Sequence, residues 1–67
     1  MTPEEIDMQN AIDNVKNEYD AHGMIKNVIH IDFIKEAYKK VSGSMMRNYA
    51  REIGGQAFVD EIDRICR

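Results

Sequence analysis

Few side chains in this sequence could do chemistry, and their spacing keeps most of them apart. His22 and His30 are eight residues apart, too far for a short chelating motif, and Cys66 is remote from both. A zinc site would need more ligands from the chain or from a symmetric partner. Asp7, Asp13 and Asp20 lack the glycine-centred loop that calcium requires, and Gly54-Gly55 lacks the lysine and hydroxyl of a phosphate loop. Asp60, Glu61 and Asp63 fit the acidic start of a helix better than a catalytic pair. The residues therefore point to no catalytic role, no cofactor and no metal.

The chemistry best represented is recognition. Lys35, Lys39, Lys40, Arg47 and Arg51 gather around Ser42-Gly43-Ser44 in a chain whose net charge is -3. Residues 1–33 carry a net of -5 and residues 34–67 a net of +2. One-signed clusters attract partners of the other sign. Arg47 and Arg51, four apart, share a helical face with Asn48 beside them. Arginine forks onto guanine and asparagine onto adenine. Lys35, Lys39 and Lys40 would then hold phosphates. A helix-turn-helix-like DNA reader at residues 35–51 is thus one reading. Against it, a small nucleic-acid domain is usually basic overall, and this chain is acidic.

The second reading starts from apolar side chains. Five methionines stand among 67 residues, and methionine adapts to irregular surfaces. Met24, Val28 and Ile31 point away from Ile34, Ala37, Tyr38 and Val41 if residues 24–41 form one helix. That is more apolar circumference than one small core covers. Met24, Val28, Ile31, Met45, Met46 and Tyr49 are accordingly the candidate interface, with a homodimer or another protein as partner. This reading makes the chain a small regulatory or adaptor module, and it is preferred over DNA binding.

The elements that position these residues read as helices. Thr2 caps the first, Pro3 fits its first position and Glu5 completes a capping-box spacing. Met8, Ala11, Ile12, Val15 and Tyr19 form its apolar stripe, and His22 and Gly23 end it. Residues 24–41 are expected as one helix, kinked or continuous. A break capped by Asp32, or an extended stretch at 27–31, are the alternatives. Ser44 or Ser42 caps the next helix, whose apolar face is Met45, Met46, Tyr49 and Ile53, and Gly54-Gly55 closes it. A last helix from about Gln56 buries Phe58, Val59, Ile62, Ile65 and Cys66, with Arg64 and Arg67 near its end.

The whole is expected to be a single all-α domain over residues 1–67, a self-associating bundle of three or four short helices. Its 43% apolar and 31% charged residues are globular composition. No apolar run approaches the roughly 20 residues of a membrane span. The acidic N-terminus is unlike a signal peptide, and one cysteine suits a reducing compartment. The cytoplasm is therefore the expected location.

Overall fold

The computed structural model describes residues 2–66 as an all-α bundle of three helices, α1 (Pro3–His22), α2 (Val28–Lys40) and α3 (Gly43–Cys66). Met1 lies outside the described residues. So does Arg67, which the sequence places near the end of the last helix. Helix α1 begins as its sequence dictates. The Thr2 hydroxyl accepts the Glu5 N–H at 3.3 Å, and proline occupies the first turn. It ends at Gly23, whose left-handed φ of 76° lets its N–H reach the Tyr19 carbonyl at 2.7 Å.

The single helix expected over residues 24–41 is not observed. Residues 24–27 form an irregular connector and α2 starts at Val28. Asn27 is the reason. Its side-chain oxygen accepts the Ile29 N–H at 2.9 Å, capping a helix that starts there. Asp32, the alternative cap, lies inside α2, and the extended alternative for 27–31 is not adopted either. The break resolves the conflict between the two stripes. Ile25 swings into the core, Ile34 and Ala37 face inward, and Met24 and Val28 stay outside.

Only two residues link α2 to α3. Ser42 makes the cap, its hydroxyl accepting the Met45 N–H at 3.2 Å, while Ser44 is already helical. Gly55 interrupts α3 with φ 76° and ψ -176°. That region is open essentially to glycine alone. The expected third and fourth helices are therefore the two arms of one bent element. The bend lets both arms face the core, Met46 and Ala50 from the first and Phe58, Val59, Ile62 and Ile65 from the second. They meet Met8, Ala11, Ile12 and Val15 of α1. Phe58 is fully buried, and its ring centroid lies 5.3 Å from that of Tyr19. Among the described residues, no polar or charged residue is buried and no buried side-chain N or O lacks a partner.

Candidate functional site

The connector between α1 and α2 is held by side chains rather than by backbone pairing. Glu18 of α1 accepts the N–H groups of Lys26 (2.8 Å) and Asn27 (2.9 Å) on Oε2. Its Oε1 lies 2.9 Å from His30 Nδ1. A carboxylate offers no proton, so Nδ1 carries the hydrogen. From α3, Glu61 Oε2 accepts the Ile25 N–H at 2.7 Å, and Arg64 forks onto the same carboxylate while donating to the Ile25 carbonyl at 3.2 Å. The Lys26 N–H and His30 hold the Glu18 carboxyl below the usual glutamate range. Arg64 and then the Ile25 N–H do the same for Glu61. Two acids that look like plain surface charge in the sequence thus fix how α2 enters the bundle. Their signal was faint: each is an acid whose partner is a distant main-chain N–H.

Of the six candidate interface residues, the structure leaves Met24 (38% exposed), Val28 (68%) and Met45 (38%) on the surface. Met46 is fully buried and belongs to the core, because the start of α3 turns this position and Ala50 inward together. Ile31 and Tyr49 are half-buried against the core. Tyr49 is committed elsewhere, donating its hydroxyl to Asp13 of α1 at 2.7 Å, and that bond raises the phenol's pKa. Nor do the remaining three form one patch. Val28 begins α2 and Met45 follows its far end, about 20 Å away along a 13-residue helix.

Two residues outside that set complete a surface with Val28. Ile29 is 64% exposed and Phe33 56%. They are one turn apart on α2. Phe33 borders a cleft of about 330 Å³ between α1 and α2, floored by Ala11 and Ala37 and flanked by Asn10 and Asn14. Asp7, Glu36 and Lys40 stand at its far end. The signal for this face is the register of a helix starting at Val28. That register is the same for a helix begun at Met24; what it does not give is that Ile25 enters the core while Val28 stays outside.

The basic residues are largely engaged with one another's surroundings. Arg47 bridges the two arms of α3, its Nε donating to Asp63 at 3.0 Å, and Nη2 donates to the Tyr38 hydroxyl at 3.3 Å. Asp63 first, then Tyr38, raises the guanidinium pKa. Arg51 donates to Gln56 and to Asn48, both at 3.2 Å, so Asn48 and Arg51 spend polar atoms on each other. Lys39 pairs with Glu36 at 3.5 Å. Among the described residues, Lys35 and Lys40 form no ion pair.

Cys66 is half-buried in a second cleft between α2 and α3, beside Lys35 and Tyr38. Burial, and then Asp63, push its thiol pKa up. A nucleophilic cysteine needs the opposite shift. Among the described residues, no group of three or more His, Cys, Asp and Glu is placed to hold a metal ion. No helix there is long and apolar enough to cross a membrane. No protein-family model, curated protein or solved structure matches the chain.

Proposed function

We propose that this chain is a small regulatory or adaptor module that acts without catalysis, by helix-mediated contact with protein, and that its first partner is a second copy of itself. The observation that carries this reading is the exposure of Val28, Ile29 and Phe33 on one 13-residue helix. Covering a large aliphatic or aromatic side chain fully is worth about 1.5–3 kcal/mol. Three of them in one neighbourhood are more than a monomer's scattered surface requires. A second copy is the occupant favoured by charge, because the chain is acidic in its first half and basic in its second. A reducing compartment such as the cytoplasm suits the protonated, half-buried thiol.

The internal engagement of Arg47, Asn48 and Arg51 weighs against a base-reading role for them. Light scattering coupled to size exclusion separates the two readings. The module predicts a mass that rises toward a dimer with concentration and ignores mixed-sequence DNA at low salt. A constant monomer that shifts only on adding DNA, with the shift abolished by salt, would establish the DNA reading instead.

A further inference from the structure

We propose that the α1–α2 connector is an acid-released latch, in which protonating Glu18 frees Lys26, Asn27 and the first turn of α2 from α1 while Ile25 stays seated in the core. Every group in this latch belongs to one copy, so it does not rest on self-association. Three successive main-chain N–H groups, those of Ile25, Lys26 and Asn27, end on two carboxylates from two other helices. In a helix the acceptors are carbonyls, which do not titrate. Here each acceptor is an acid, so one proton changes the bond. A hydrogen bond to an ionised acceptor is about twice as strong as one between neutral groups.

The two ends of the connector differ in what else holds them. Ile25 is buried, and its carbonyl accepts from Arg64 at 3.2 Å. Neither anchor depends on the charge of Glu61. Lys26 and Asn27 are exposed, and among the described residues their N–H groups end on Glu18 alone. From α2, His30 Nδ1 lies 2.9 Å from the other oxygen of Glu18. The charged imidazole carries that hydrogen as the neutral tautomer does, so His30 donates in either state. His22, one turn on along α1, and the Lys26 side chain are exposed. On α3, Glu61 is faced by Arg64 of its own helix. Glu18 is therefore the switching group, because a single proton there weakens three bonds at once. Its largely covered carboxylate is held below the usual glutamate range, first by the Lys26 N–H. The latch is thus closed at neutral pH and opens as pH falls through the folded value. Ile34 and Ala37 are buried and apolar, so they keep the rest of α2 on the bundle after release.

A nuclear magnetic resonance titration with acid, read at side-chain carboxyl carbons, amide protons and methyl groups, tests this. The Lys26 and Asn27 amide protons are expected to move with the Glu18 carboxyl carbon at one midpoint, while the Ile34 and Phe58 amides and the Ile25 methyls keep their native shifts. Across the same step, amide exchange at Ile31, whose N–H is bonded to the Asn27 carbonyl, is expected to rise at least about tenfold over its intrinsic rate, with Ile34 unchanged. In Glu18→Gln, whose carboxamide does not titrate, the step at Lys26 and Asn27 is expected to vanish. Circular dichroism at neutral pH checks that this variant is folded, and the wild-type titration decides alone if it is not. Lys26 and Asn27 amides that move only as Ile34 and Phe58 are lost would make the acid transition global and overturn the latch. Ile25 methyls leaving the core in the first step, or an unchanged Lys26 step in folded Glu18→Gln, would overturn it too.

Discussion

Glu18 and Glu61 supply what the connector's own backbone does not. The N–H groups of Ile25, Lys26 and Asn27 end on these two carboxylates, which come from different helices. Both carboxyls are held below the ordinary glutamate range, Glu18 first by the Lys26 N–H and Glu61 first by Arg64. A carboxyl depressed on folding adds stability above its unfolded pKa and loses it as pH falls through the folded value. The contribution is thus complete at neutral pH and declines below about pH 5. Circular-dichroism melts across pH should show the melting temperature falling on that acid limb. The Glu18→Gln/Glu61→Gln double variant should melt lower at neutral pH and lose less on acidification. Equal acid limbs in the two proteins would remove these carboxylates from the account. Phe58 is the corresponding apolar position. Phe58→Ala should cost about 3–5 kcal/mol, much of what a chain this short possesses, and a urea titration reads the loss.

Each helix owes its limits to one or two residues, and those limits decide which side chains face out. The start of α1 was legible because Thr2, Pro3 and Glu5 each favour the same local structure. The start of α2 was not, because Met24 and Val28 continue an apolar spacing straight across Asn27. What ended that continuity was the Asn27 cap together with Glu18 and Glu61, which reach the connector from the other two helices, and no periodicity within the segment reports those distant partners. Asn27→Ala should cost about 1 kcal/mol and fray the first turn of α2, seen as faster amide exchange at Ile29. The bend in α3 was legible as Gly54-Gly55, but the continuation of one element through it was not. Gly55→Ala should cost about 1–3 kcal/mol from backbone strain. Gly54→Ala acts differently. Its new methyl would stand 2.5 Å from a Phe58 ring carbon, so Phe58 must move. Near-ultraviolet and fluorescence changes are not expected to separate the two variants. A crystal structure is, with Phe58 shifted in Gly54→Ala alone.

Taken as one body, the described residues form a compact three-helix bundle around one core. Its radius of gyration, 10.5 Å, matches the roughly 11 Å of a compact chain of this length. The second copy proposed above would cover surface rather than complete the core. The number and spacing of apolar side chains led to the expectation of apolar surface outside the core, and Ile6, Met24, Val28, Ile29, Phe33 and Met45 are exposed. The sequence did not reveal which ones are surplus. Met46 was absorbed into the core by the bend at Gly55, and Tyr49 was tied to Asp13 across the bundle. Ile29 and Phe33 are exposed instead. The basic stretch was equally visible in composition, yet Arg47 is taken up by Asp63 and Tyr38, contacts set by tertiary structure. Neutralising Arg47 should therefore loosen the bend between the arms of α3 and lower the melting temperature, with no dependence on added nucleic acid.

Dilution of the isotopically labelled wild-type protein, followed by amide chemical shifts, tests the surplus surface most directly. Concentration-dependent shifts confined to residues 28–33 and 10–14, vanishing in Ile29→Asp, are the expected result. Shifts that ignore concentration everywhere, or that cluster at Lys35, Arg47 and Arg51 on adding DNA, would contradict the assignment of α2 as the contact helix.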